Sequence, residues 1–153
     1  METVSLSFES VEKILIATDG SDCSVRAAEQ GISIAKLLDA QVMVIYVIDD
    51  VVLDQVSKVT GREEAERELK QNGQRCINYV LSLARKEGVK EGCLLSKLAE
   101  GRPYEKIVSL AKKLNVDLIV MGTFGRSGSE RPLVGSVTEQ VIEHAPCPVL
   151  VVK

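Results

Sequence analysis

The chain has 153 residues, 45% of them hydrophobic and 27% charged, and carries a net charge of −3. That length supports one domain spanning 1–153 with a core of its own, needing no disulfide or metal staples. The acidic balance, with aromatics at 3% and no Trp, excludes a general nucleic-acid binder, which needs a basic face or stacking rings.

KILIAT (Lys13 to Thr18) is a β-branched run ended by Asp19-Gly20-Ser21, which predicts a buried strand and a turn. From Ser21 the apolar positions Val25, Ala28, Ile32, Ala35 and Leu38 step by three and four, as on a helix with one buried face. QVMVIYVI (Gln41 to Ile48) is the second strand and stops at Asp49-Asp50. Residues 51–61 read as a mixed connection. A long helix follows from Arg62, its apolar face running through Ala65, Leu69, Cys76, Ile77, Val80, Leu81 and Ala84, with Asn72-Gly73 expected to weaken its middle.

Gly88 and Gly92 bracket a turn before the third strand, Cys93 to Leu98. Pro103 sits near the first turn of the next helix, whose buried stripe is Ile107, Val108, Ala111 and Leu114. Val116 to Gly122 is the fourth strand. SVTEQVIEH (Ser136 to His144) is a short helix stopped by Ala145-Pro146, and VLVV (Val149 to Val152) is the fifth strand.

Strand and helix thus alternate throughout, and the clearest strands are apolar at every position. Such strands are buried on both faces, which calls for helices above and below a parallel sheet. The expected class is α/β, an open doubly wound sheet with right-handed crossovers. Ligands bind such sheets beyond the C-terminal strand ends, where strand order reverses. Asp19, Asp49 and the loop after Gly122 all lie at such ends.

That loop belongs to MGTFGRSGSERPLVGSV (Met121 to Val137), in which glycine recurs at 122, 125, 128 and 135. Glycine is entropically costly, so this density implies positive φ angles or a partner lying against bare backbone. Neither GxxxxGK[ST] nor GxGxxG is present; the spacing is Gly-x2-Gly-x9-Gly-Ser, through Gly122, Gly125, Gly135 and Ser136. Gly122 would let a ring or ribose approach, and Gly125 and Gly128 would turn amides inward as an anion nest. Gly135 and Ser136 would offer amides and a hydroxyl at a helix N-terminus, where partial positive charge favours phosphate. Arg126 and Arg131 could add charge. The plain alternative is a surface loop with Ser136 as an N-cap.

These residues resemble the universal stress protein family, in the subgroup that binds ATP. The likeness runs through KILIATDGSDCS, VIYVID, GRPYEKIVSLAKKLNVDLIVMGTFG, VGSVTEQVI and APCPVLVV. It implies a five-stranded parallel sheet in the order 3-2-1-4-5, and a homodimer joined through the last strands. It also implies that Ala17, Thr18 and Asp19 border the nucleotide, with Asp19 nearest ribose, adenine or metal. Val47 would meet the adenine edge through its backbone, Met121 and Gly122 would cover ribose and base, and Gly125, Gly135, Ser136 and Val137 would hold the phosphates. Many relatives carry His where this chain has Phe124, which puts any hydrolytic role of that position in doubt.

Other chemistry is weakly supplied. Asp19 with Asp49-Asp50 also fits, less well, a phospho-acceptor receiver domain, which needs an acidic pair after the first strand; the plain reading of Asp49-Asp50 is a solvated turn. The single histidine, His144, suits a helix C-terminal dipole partner. Cys23, Cys76, Cys93 and Cys147 are scattered without a CxxC pair, as expected of free thiols in a reducing compartment rather than a zinc site. Cys23 lies near a helix start, where a thiol can be activated, although a packed thiol is the simpler reading. The apolar runs are too short to cross a bilayer, and METVSLSFESVEK has neither the basic start nor the apolar centre of a secretion signal. The expected location is cytoplasmic.

The functional expectation is a small regulatory protein binding ATP, or ADP or AMP, with Mg or Mn bridging the phosphates and at most slow hydrolysis. The alternatives are an ATPase or nucleotidyl-transfer enzyme, and a dimeric scaffold with an empty cleft.

Overall fold

The computed structural model describes residues 11–124 and 134–153. Five strands form one parallel sheet in the order β3-β2-β1-β4-β5, as the family resemblance implied. The strands are β1 (Lys13–Ala17), β2 (Gln41–Asp49), β3 (Leu94–Gly101), β4 (Leu118–Gly122) and β5 (Val149–Val152). The helices are α1 (Asp22–Leu38), α2 (Asp50–Thr60), α3 (Arg62–Lys86), α4 (Pro103–Leu114) and α5 (Ser136–His144).

Alternation along the strands separates two cores. Ile14, Ile16, Val42, Val44, Tyr46, Ile48 and Val120 face α1 and α3, where Ala28, Ile32, Ala35, Ile77, Val80 and Ala84 meet them. Leu15, Ala17, Ile45, Ile119 and Met121 face the other way, against Ile107, Val108 and Ala111 of α4 and Val141 of α5. Helices therefore cover both faces of the central strands, which is why the polar residues Lys13, Gln41 and Asp49 stand only at strand ends. Asp117 anchors the middle of the sheet: its Oδ2 accepts from the backbone N–H groups of Glu12 and Lys13 at 2.9 and 3.0 Å.

Four expectations need correction. Residues 51–61 are not a mixed connection: α2 is a helix that Asp49 caps by accepting the Val51 amide at 2.9 Å. Only Leu53 of α2 is fully buried, and its many valines weaken the helical signal. Gly73 does not weaken α3, which runs unbroken; a Cβ there would come within 2.7 Å of Leu98 Cδ1 and 2.8 Å of Tyr46 Cδ1, so the glycine admits close packing onto the sheet. The third strand starts at Leu94 after a single 3-10 turn and extends to Gly101, because pairing with β2 continues through Asp49↔Gly101. The fourth strand starts at Leu118: Val116 still closes α4 by donating its N–H to Ala111 O, and Asn115 takes the left-handed conformation (φ 53°).

Candidate functional site

The central strand β1 stops early. Ala17 pairs with Ile45, and the Thr18 amide then donates to Ile45 O at 3.0 Å before the chain turns away. Its neighbours run on, β2 to Asp49 and β4 to Gly122. A notch results between them at the C-terminal end of the sheet, where α1 leaves on one face and α4 and α5 cover the other. This is the strand-order reversal at which such sheets take ligands.

The floor of the notch is tightly organised. Thr18 is buried, its hydroxyl 3.1 Å from Ser24 Oγ and accepting the Gly20 amide at 3.3 Å. Asp19 Oδ1 accepts the Ser21 amide at 2.9 Å, and Ser21 caps α1 by accepting the Ser24 amide at 3.2 Å. The turn passes through Gly20 at φ 82°, a conformation open to glycine. Val47 stands half-buried on β2, in register with Ala99.

The opposite wall joins the end of β4 to the start of α5. The Gly135 amide donates to Thr123 O at 2.6 Å, and the buried Thr138 hydroxyl donates to Gly122 O at 2.8 Å. Gly135 is the N-cap of α5 and Ser136 its first helical residue, exposed, so Ser136 is not the cap. Gly135 has no side chain with which to cap this helix, and the first bond within it runs from Glu139 N to Gly135 O. The early amides of α5 therefore end beside the strand terminus, as required of an anion cradle.

The two described glycines of the motif are packed by the protein itself. A Cβ on Gly122 would lie 2.8 Å from Cys23 Sγ and 3.1 Å from the Cys23 carbonyl carbon; one on Gly135 would lie 3.0 Å from Thr123 O. Neither has a positive φ. Their lack of side chain lets α1 and the loop base close onto β4. Gly125, with Gly128, Arg126 and Arg131, lies outside the described residues.

Sequence reasoning overlooked Thr123, Thr138 and the junction at Cys23. The Cys23 thiol lies 3.2 Å from Val152 O and 3.5 Å from Thr123 Oγ1, while Thr123 N donates to Val152 O at 2.9 Å. Thr138 was visible as a polar residue three positions before Val141 on the buried stripe of α5. Burial pushes the Cys23 thiol up, but hydrogen bonds from the Phe124 backbone and from Thr123, together with the Arg26 charge, bring it below its ordinary value. At Cys147 burial and the Asp117 charge both push the thiol up. None of the four cysteines, all of them described, forms a disulfide. Asp49 caps α2, and among the described residues no cluster of His, Cys, Asp or Glu has a metal-binding arrangement. No helix among them is long and apolar enough to cross a membrane. An apolar crevice lined by Ile14, Met43, Leu95 and Val116 lies at the other, N-terminal end of the strands.

The sequence pattern of the universal stress protein family matches residues 10–153. Over 142 residues the chain is 46% identical to universal stress protein MJ0531 of Methanocaldococcus jannaschii, covering 93% of this chain and 82% of that one. The solved structure of hypothetical protein MJ0577 is similar at a TM-score of 0.82 and 29% identity, covering 94% and 96% of the two chains. A universal stress protein solved in complex with cAMP is similar at a TM-score of 0.68 and 25% identity, covering 93% and 97%. Fold, strand order and sequence agree: the chain belongs to the universal stress protein family.

Proposed function

We propose that this chain is a single-domain, ATP-binding regulatory protein of the stress response, holding an adenine nucleotide across the notch. The observation that carries this reading is the start of α5, a helix with glycine at its N-cap whose first-turn amides abut the free end of β4. The donor set fits phosphate, since backbone N–H groups at a helix start bind anions through partial positive charge and need no lysine. The neighbour solved with cAMP supports an adenine ligand.

In this reading the Ser136 and Val137 amides hold the phosphates, with Gly125; Gly135, whose own amide is engaged by Thr123 O, borders them. Ala17, Thr18 and Asp19 border the sugar and base, Val47 meets the adenine edge, and Met121 and Gly122 close over them. Bound ATP would supply phosphoanhydride bonds, with Mg or Mn as counter-charge. The chain's own residues bind and orient, and Phe124 brings no imidazole to assist a proton transfer, so turnover is slow at most. A homodimer through β5 follows from the same reading, because that short apolar edge strand has all four residues only half-buried. In this reading the protein acts in the cytoplasm, without nucleic-acid or membrane partners.

Ser136→Asp tests the cradle, because it separates two effects by sign. A carboxylate in the first turn of α5 should stabilise the helix by about 0.3–1 kcal/mol, yet repel phosphate. The expected result is an unchanged or raised melting temperature with loss of ATP binding; unchanged ATP affinity would reject the assigned position. Multiple-turnover release of phosphate, pyrophosphate or AMP by the pure protein would shift the reading to an enzyme.

A further inference from the structure

We infer that Thr138 is a positioning residue for the phosphate side of the nucleotide site. The inference rests on the nucleotide reading above and concerns how the cradle is held in place. Two hydrogen bonds join the start of α5 to the end of β4: Gly135 N–H to Thr123 O at 2.6 Å, and Thr138 Oγ1 to Gly122 O at 2.8 Å. The first alone is a hinge, about which the helix start could swing. The second lies one helical turn further along and removes that freedom.

The placement of the hydroxyl argues for this role. Thr138 is 4% exposed, and its hydroxyl bonds outward to a strand carbonyl rather than back to its own helix. The N-cap of the helix is Gly135, which has no side chain to orient the first turn. On the other side of Gly122 α1 packs so closely that a Cβ there would meet Cys23 Sγ at 2.8 Å, which limits how far the strand end can move that way. Thr138 therefore sets the separation between the strand end, which meets sugar and base, and the helix amides, which meet phosphate. Affinity that depends on spanning two sites is lost when their separation is no longer pre-set. A ligand that uses only the strand side is indifferent to it.

The test compares ATP with adenosine on the full chain. Thr138→Val keeps the shape and removes the donor, leaving the Gly122 carbonyl without this partner. ATP's Kd should rise about tenfold, the scale of re-ordering a helix start that is no longer held in place, while adenosine's changes less than about threefold. Thr138→Ser, which restores the hydroxyl, should return ATP affinity to near wild type. Equal losses for both ligands, unchanged ATP binding in Thr138→Val, or a Thr138→Ser defect as large as that of Val would each overturn the role. Should Thr138→Val fail to fold by circular dichroism, Thr138→Ala is read against Thr138→Ser in the same way. Wild-type protein that binds neither ATP nor adenosine defeats the nucleotide reading itself, and so is distinguishable from failure of the Thr138 role.

Discussion

Gly122→Ala separates a packing glycine from a ligand-facing one. Gly122 has a φ open to any residue, so alanine meets no backbone strain. The cost comes from its Cβ, placed 2.8 Å from Cys23 Sγ, 3.1 Å from Cys23 C and 3.2 Å from Cys23 O. Carbon contacts prefer about 3.5–4.0 Å, so something has to move. Cys23 cannot move freely: its thiol is tied to Val152 O, and its backbone is the first turn of α1. Overpacking of this kind costs about 1–3 kcal/mol, while reduced freedom of the unfolded chain returns about 0.4–1 kcal/mol. The net loss is about 1–2 kcal/mol, or about 2–8 °C in melting temperature for a chain of this size. Thermal unfolding followed by circular dichroism measures it in ligand-free protein. The double variant Gly122→Ala with Cys23→Ala removes the closest contact, so the two changes should couple by about 0.5 kcal/mol or more. A Gly122→Ala protein as stable as wild type, or strictly additive losses in the double variant, would refute the packing argument and return Gly122 to the ligand.

The remaining predictions use the same reasoning. Gly73→Ala gains about 1 kcal/mol of helix propensity but forces a Cβ against Leu98 and the Tyr46 ring, so urea unfolding should show a net loss of about 1 kcal/mol; a gain would mean that α3 sits further from the sheet. Asp117→Ala strips an acceptor from two backbone amides and should cost about 1–3 kcal/mol, with faster hydrogen exchange at Lys13; unchanged exchange there would remove the anchor. Cys23 is shifted down and Cys147 up, so as pH rises Cys23 becomes thiolate first. Alkylation mapped by mass spectrometry should therefore reach its plateau rate at lower pH for Cys23 than for Cys147, and the reverse order would contradict both environments.

How much was legible in the sequence follows from burial. β1, β2 and β4 sit in the middle of the sheet with helices on both sides, so their apolar runs identified them. β5 was recognisable as VLVV despite its edge position, because Pro146 and Pro148 isolate it. β3 is exposed on its outer edge and carries Ser96, Lys97 and Glu100; its end was misjudged because pairing with β2, rather than hydrophobicity, extends it. α2 was missed because its buried side is little more than Leu53 and its cap, Asp49, looked like a turn. At the site, the spacing of glycines and the strand ends pointed to the corner of the sheet where β1 stops short of its neighbours. It could not reveal that Gly122 and Gly135 are small for the sake of Cys23 and Thr123, since those contacts join segments far apart in the chain. Thr138 was hidden for the same reason: its partner is a backbone carbonyl on another element.

The most direct measurement is a calorimetric titration of nucleotide-stripped protein with ATP and, separately, with adenosine. The account predicts saturable binding of ATP at one site per chain, tighter than adenosine because the helix amides engage phosphate. No saturable binding of any adenine nucleotide, or equal affinity for ATP and adenosine, would contradict it.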